Sequence, residues 1–349
     1  MKKLVILSAF LSPYRSGAEA MVEEVSQRLS SEFDITIVTA RLSRKLPKRD
    51  MLGGVKIIRV GFGISFDKWL YPFLAPLKVG DLKPDIIHAV LETFAGLALF
   101  FCRCHARKIL TLQTTNRTFL KGVILRYPDI VTAISTDLVR IAEKLGRNDV
   151  ILIPNGIDLT ALKAACQNIL KDSGCILFVG RLESMKGIDT LLHAFAKAIR
   201  GLDPAVHLRI VGGGSLLHSL QSLARELEID HRVKFTGYIT GSDIFVEYAK
   251  AEIFVGLSRS EALGNVFLEA QAAGCAVLAT RVGGIPDIVL DQKTGILVPP
   301  DDIDAAAGEL RRLLTDTSLR AKLSIAAQKN AENYGWDEVA KRYREVLRT

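Results

Sequence analysis

Apolar positions in this chain alternate between two periods. In the first half, LVILSAF (4–10), DITIVTA (34–40), VKIIRV (55–60), DIIHAV (85–90), KILTLQ (108–113) and DIVTAIS (129–135) are short β-branched runs that read as buried strands. Longer stretches over 18–30 and 94–107 carry apolar residues at helical spacing. The second half repeats the scheme with strands CILFVG, HLRIVG, VKFTG, IFVGLS, AVLAT and GILVPP. Helices fit over 187–200, 215–227, 244–249, 265–273, 286–290 and 302–315. A final amphipathic helix is expected over 336–347. Such alternation predicts α/β architecture: two doubly wound Rossmann-like domains, each a parallel sheet with helices on both faces. Sheets of this kind place ligands at the carboxyl ends of their strands, here facing a shared cleft. The join is expected in IPNGID, residues 153–158.

Composition narrows the class. The 349 residues, 49% hydrophobic and 24% charged, suit two globular cores. The opening MKKLVILSAFLSPYRSG imitates a signal peptide, but its β-branched run followed by a Ser/Pro/Gly loop reads as a first strand. No apolar run reaches the roughly eighteen residues of a membrane span; 93–102 reads as a buried helix. Five cysteines without framework spacing point to a reducing, cytoplasmic compartment. Cys102, Cys104 and His105 lack a fourth ligand, so no metal is expected.

The net charge of +8 is uneven. Residues 1–155 hold 23 Lys/Arg against 14 Asp/Glu, and residues 156–349 hold 23 against 24. RLSRKLPKR (41–49) packs basic residues just before an aromatic cluster of Phe66, Trp69, Tyr71 and Phe73. A basic loop beside an aromatic one suits an anionic membrane surface or a phosphorylated lipid. A peripheral position on the inner face of the membrane is the corresponding expectation. None of the usual nucleic-acid modules is visible, and nucleic acid is not expected as a partner.

The chemistry concentrates in the second half. In SEALGNVFLEA, seven residues separate Glu261 from Glu269 around a glycine turn and an apolar helix. The amides at that helix start form a seat for phosphate. Two carboxylates around it suit a ligand that carries both phosphate and sugar hydroxyls. VGRLESMKG sets Arg181 and Lys186 at a strand end, where two fixed cations can neutralise a diphosphate without a metal. VGGGSL (211–216), with Gly212, permits close backbone approach to a ligand, although tight packing explains it equally well. RVGGIPDIV and GILVPPDDIDA read as structural, the latter with Asp301 or Asp302 as a helix cap.

Taken in order, IPNGID, VGRLESMKGIDTLLHAF, IVGGGSL, VKFTGYI, SEALGNVFLEAQAAG, VGGIPDIV, GILVPP and the terminal YGWDEVAKRYREV resemble the family 4 retaining glycosyltransferases of the GT-B fold. SPYRSGAEAMVEEVSQRL, PDIIH and ILTLQTTN resemble that family more loosely. The resemblance implies an acceptor-binding domain over 1–155, a nucleotide-sugar domain over 156–334, and a helix over 335–349 that returns to the first domain. It implies that Arg181 and Lys186 bind the donor diphosphate and that Glu261 contacts the transferred sugar. Glu269 would hold the ribose, and the backbone of Leu263, Gly264, Asn265 and Val266 would meet the distal phosphate. Gly237, Tyr238 and Ile239 would lie near the base, with Gly17 approaching the diphosphate from the first domain. The family describes same-face attack in which the leaving phosphate helps deprotonate the acceptor, so no enzyme nucleophile is needed. The donor would be a UDP- or GDP-sugar, without a cofactor, and the acceptor a glycan or lipid-linked glycan. Three departures touch this pattern. Gln113, a catalytic candidate, stands where a histidine is frequent and can still donate a hydrogen bond to a sugar hydroxyl or backbone but cannot take a charge; Val90 replaces the second histidine after His88, and Ser16-Gly17 replaces a double glycine. The alternatives are a sugar-nucleotide epimerase on the same fold and a nucleotide-sugar-binding partner protein without turnover.

Overall fold

The computed structural model describes all residues except 117–119, 168, 240 and 242. The chain divides into two compact units, Met1–Gly156 with Trp336–Thr349, and Ile157–Gly335. The first contains strands β1 (Lys2–Leu7), β2 (Phe33–Ala40), β3 (Arg49–Leu52), β4 (Val55–Val60), β5 (Ile86–Val90), β6 (Arg107–Leu112), β7 (Ile130–Ala133) and β8 (Val150–Leu152). Its helices are α1 (Gly17–Leu29), α2 (Asp67–Leu82), α3 (Phe94–Phe101), α4 (Lys121–Arg126) and α5 (Thr136–Lys144). The sheet order is β3-β4-β2-β1-β5-β6-β7-β8, parallel except for the antiparallel edge strand β3. Chain order therefore reverses at β1, with β2 on one side and β5 on the other.

The second unit holds α6 (Leu159–Gln167), β9 (Cys175–Val179), α7 (Ile188–Ala198), β10 (His207–Val211), α8 (Leu217–Glu226) and β11 (Val233–Gly237). It continues with α9 (Asp243–Lys250), β12 (Ile253–Gly256), α10 (Asn265–Ala272), β13 (Ala276–Thr280), α11 (Ile285–Ile288), β14 (Ile296–Val298), α12 (Ile303–Thr315) and α13 (Thr317–Ala331). Its sheet is fully parallel in the order β11-β10-β9-β12-β13-β14, and the reversal falls between β9 and β12. Ile176, Phe178, Leu208, Ile210, Val255 and Leu278 form the middle of its core beneath Leu191, Phe195 and Leu310. Continuous burial along β12 and β13 matches strands covered on both faces. The chain then returns to the first unit as α14 (Trp336–Arg348), whose Trp336, Val339 and Tyr343 join the core of Leu4, Val22 and Ile37.

Several elements differ from the sequence expectation. The helix expected to run to 107 stops at Phe101, because Arg107 is drawn into β6 opposite Ile86. α2 was hidden by Pro72 and Pro76 inside it, residues that ordinarily argue against a helix interior. α13 is polar on most sides, and its fully buried residues are Leu323, Ala327 and Ala331 at four-residue spacing, too thin a stripe to read unaided. Asp302 is the cap of α12, its carboxylate accepting from Ala305 N–H at 2.9 Å.

Candidate functional site

The carboxyl ends of β9 and β12 flank the topological switch point of the second unit, where parallel sheets collect their ligands. After β9 the chain passes Arg181 and makes a 3₁₀ turn over Ser184–Lys186. Gly187 then adopts the left-handed conformation, φ 62°. A Cβ at Gly187 would sit 2.0 Å from the carbonyl oxygen of Leu257 beyond β12, so only glycine lets the two strand-end loops close on one another. Arg259, a residue without a recognisable motif, fastens the closure. Its guanidinium donates to Ser184 O (2.5 Å), to both carboxylate oxygens of Asp189 (3.0 and 2.7 Å) and to Asp301 (2.7 Å). Burial works against the Asp189 carboxylate, but its bonds from Arg259 outweigh that and hold its pKa below the usual value.

This scaffold brings Lys186 to Glu261, Nζ to Oε2 at 2.5 Å, with both side chains largely covered. Glu261 is positioned by its backbone as well. Its carbonyl accepts from Gly284 N–H at 3.1 Å, and it fills the space of a missing Cβ on Gly283, which would lie only 1.8 Å away. The VGGIP turn, read as structural, thus seats a candidate site residue. Leu263 is buried, and Gly264 (φ 92°) caps α10 in the left-handed conformation with the ring of Phe267 where a Cβ would go. Asn265 and Val266 form the first turn of α10, where a helix leaves its amides without intrahelical partners, the place at which the sequence suggests a phosphate seat. Further along α10, Glu269 accepts from the hydroxyl of the fully buried Tyr248 at 2.7 Å. Burial and the neighbouring carboxylate push the Tyr248 pKa well up, so it is a fixed donor. Arg181 is the exposed member of the set, its side chain 66% accessible and bonded to Glu183 at 2.8 Å.

The remaining site candidates lie on loops beside these or in the first unit. Gly212 (φ 140°) faces Gly180, whose carbonyl oxygen would lie 1.9 Å from an added Cβ. Its N–H donates to Gly237 O at 2.9 Å, so packing alone accounts for a glycine there. Gly237 takes φ 76°, Tyr238 is 78% exposed and Ile239 is partly covered. In the first unit Gly17 begins α1, where Glu19 accepts from the Ser16 N–H at 2.8 Å. Gln113, at the end of β6, is 8% exposed and exchanges two amide hydrogen bonds with Asn155, at 3.1 and 2.9 Å. His88 is buried inside the sheet, with Nε2 2.7 Å from the Thr111 hydroxyl, and burial pushes its pKa down to about 4. It is a neutral structural imidazole.

A buried ion pair at the same end of the first sheet escaped the sequence reading. Leu91 follows β5 with φ 79° and turns Glu92 inward, where Glu92 is fully buried. One oxygen accepts from Gln113 N–H at 2.9 Å, and the other lies 2.8 Å from Lys121 Nζ. Lys121 in turn donates to Thr114 O at 2.9 Å. A left-handed bulky residue was the one signal available, and it is invisible in sequence. Among the described residues, the cluster with metal-ligand donors in reach is Asp172, Cys175 and His207, within 4.8 Å of one another. It lies at the amino ends of β9 and β10, the opposite end of the sheet from Lys186 and Glu261.

A parallel sheet with cations, carboxylates and a helix amino terminus at its switch point belongs to the class that seats anionic ligands on strand ends. Residues 15–161 match the model described as Glycosyltransferase Family 4, and residues 161–330 match Glycosyl transferases group 1. The chain belongs to this glycosyltransferase family and has the GT-B fold. The D-inositol 3-phosphate glycosyltransferase of Corynebacterium diphtheriae is 32% identical over 207 residues, 58% of this chain and 48% of the relative. The match thus spans about half the length of that curated relative. A sucrose-phosphate synthase of Thermosynechococcus elongatus superposes with a TM-score of 0.87 at 21% identity, covering 100% of this chain and 98% of that one. The Anabaena protein HepE, solved in complex with UDP and glucose, superposes at 0.78 with 20% identity over 100% of both chains.

Proposed function

We propose that the protein transfers a sugar from a nucleoside diphosphate sugar to an acceptor hydroxyl with retention at the anomeric carbon. The observation that carries this reading is the Lys186–Glu261 pair, held at the switch point beside the amino terminus of α10. Arg181, Lys186 and the first amides of α10 supply positive potential for the diphosphate, which makes a metal unnecessary for charge neutralisation. Glu261 is then released to accept hydrogen bonds from sugar hydroxyls, and Glu269, oriented by Tyr248, takes those of the ribose. In the transfer step the acceptor oxygen bonds to the anomeric carbon on the face from which the phosphate departs. The acceptor proton passes to the departing phosphate, giving a glycoside and a nucleoside diphosphate. UDP in the complex of the structurally similar Anabaena protein favours a uridine nucleotide, with a guanosine nucleotide as the other candidate. A lipid-linked or cell-envelope glycan is the acceptor class that the basic, aromatic-rich first unit favours, with the protein working at a membrane surface.

The epimerase reading needs acid and base side chains that exchange protons with the sugar. His88 does not serve, since it is buried in the sheet and bonded to Thr111. The test is binding and slow hydrolysis of UDP-, GDP-, ADP- and dTDP-sugars without acceptor and with EDTA present. One donor that binds and releases its nucleoside diphosphate is the expected result. No binding across the panel, with or without added acceptor glycans, overturns the transferase reading in favour of a partner protein without turnover.

A further inference from the structure

α2 is apolar on two sides: one is fully buried, and the other touches α3 but stays largely exposed. Tyr71, Ala75 and Val79 are fully buried against the sheet, with the Tyr71 hydroxyl donating to Val38 O at 2.8 Å. Trp69, Phe73 and Leu77, at the same four-residue spacing on another face, are 56%, 58% and 71% exposed. The loop leading into the helix adds Phe62, Ile64 and Phe66, at 68%, 43% and 57%. These rings are held in place: Phe73 stacks on Phe101 at 5.3 Å, and Trp69 meets Phe94 edge-on at 5.1 Å. Asp67 closes the approach by accepting from Gly63 and Ile64 N–H at 2.7 and 3.2 Å. Six large exposed apolar groups within sixteen residues, two of them fixed by ring contacts and the loop tied to α2 by Asp67, mark an interaction surface rather than scattered surface residues.

Its rim is basic. A Cβ on Gly63 would lie 2.9 Å from the Arg44 Cα, so the 41–49 loop borders the aromatic loop directly. Arg41 braces that loop by donating to Leu46 O and Arg44 O, at 2.8 and 3.1 Å. The side chains of Arg44, Lys45, Lys48 and Arg49 are exposed and take no ion pair among the described residues. The neighbouring acids are engaged, Asp50 with Arg59 and Asp81 with Lys78.

We propose that this face of the first unit, made by α2, the 61–66 loop and the basic 41–49 loop, docks the protein on an anionic lipid bilayer. The aromatic rings enter the interfacial layer while the basic side chains meet lipid phosphates. Charge decides between occupants. Each basic side chain at an anionic surface strengthens partition by about fivefold. A second copy of this chain would instead bring one basic rim against another, which like-charge repulsion opposes. The inference deepens the reading of a lipid-linked acceptor, but its test needs neither donor nor acceptor.

Trp69 and Trp336 are the only tryptophans, and Trp336 is 4% exposed, so a change in emission on docking reports on Trp69. The full chain is mixed with phosphatidylcholine vesicles with and without phosphatidylglycerol, following emission and co-flotation. A blue shift and flotation with the anionic vesicles are expected. Phe73→Ser should abolish both, and Arg44→Glu with Lys45→Glu should weaken binding at least tenfold, with unchanged far-UV circular dichroism in each variant. No binding to either vesicle overturns the proposal. So does a concentration-dependent dimer that Phe73→Ser dissolves without any vesicle binding, which would give the face to a second copy. Donor hydrolysis without vesicle binding sinks the docking surface alone, whereas vesicle binding without any donor sinks only the transferase reading.

Discussion

Lys186 and Glu261 are joined by a 2.5 Å contact across 75 residues of sequence, each delivered by a turn that tolerates only glycine at its tightest point. Gly187 closes the first turn against Leu257, and Gly283 closes the second against Glu261 itself. Neither charge is left alone in a largely covered site, and on the proposed reading a diphosphate approaching α10 would meet a cation already in place. Lys186→Ala and Glu261→Gln should each lower donor turnover by about 10²–10³, the usual loss when one preorganised electrostatic contact is removed. Thermal unfolding should drop modestly with the fold kept, since each variant deprives a largely covered charge of its partner, a cost of about 1–3 kcal/mol. Nucleoside diphosphate release and melting curves on the same preparations check both halves, and undiminished release in either variant removes the pair from the site.

Arg259 braces the turn that carries Lys186 without touching it, through Ser184 O and Asp189. Arg259→Lys keeps the charge but loses the forked geometry that serves Ser184, Asp189, Thr190 and Asp301 at once. The expected outcome is a rise in donor KM with a smaller change in kcat, and a loss of about 1–3 kcal/mol in urea unfolding from charge-assisted bonds. Equal KM in the wild type and the variant would show that the brace does not set the position of Lys186.

How far sequence alone reaches is visible in these residues. The doubly wound order of both units follows from short β-branched runs, because a strand buried on both faces has few other ways to be written. Arg181, Lys186, Glu261 and Glu269 are marked singly by their places after strand runs and glycine turns. The residues that brace these and Gln113 are not. Arg259, Tyr248, Asn155 and Glu92 acquire their roles through contacts spanning 21 to 75 residues, and no local spacing announces them. α2 was obscured for a different reason, since its two prolines contradict local propensity while tertiary packing of Tyr71 and Val79 overrides it. Gln113 looked like a group for the substrate, and in the fold its carboxamide is bonded both ways to Asn155.

Glu92 and Lys121 form the most completely buried ion pair among the described residues, with side chains 0% and 5% exposed. Removing one partner strands the other charge in the interior, at a cost of about 3–5 kcal/mol. Glu92→Ala should therefore destabilise the protein by that amount in denaturant unfolding. Glu92→Gln combined with Lys121→Met should recover much of it, because the desolvation cost falls on charges rather than on shape. A single variant as stable as wild type would mean that Lys121 reaches water when its partner is gone.

His88 gives the fold a pH dependence of definite sign. Burial lowers its pKa from 6.5 to about 4, so the folded state prefers the neutral ring while the unfolded chain binds a proton near pH 6.5. Its stabilising contribution is complete above about pH 6.5, declines as pH falls towards 4 and is constant below that. A shift of this size corresponds to about 3 kcal/mol across the window. His88→Asn cannot titrate and retains a polar group for Thr111, so its stability should be flatter between pH 6.5 and 4 than that of the wild type. Carboxylates elsewhere titrate over part of the same range, and they do so equally in both proteins. The difference between the two urea-unfolding curves therefore isolates the imidazole. If the two proteins lose stability in parallel down to pH 4, His88 is protonated within the folded sheet, and the chain from His88 through Thr111 to Thr132 must rearrange to admit the charge.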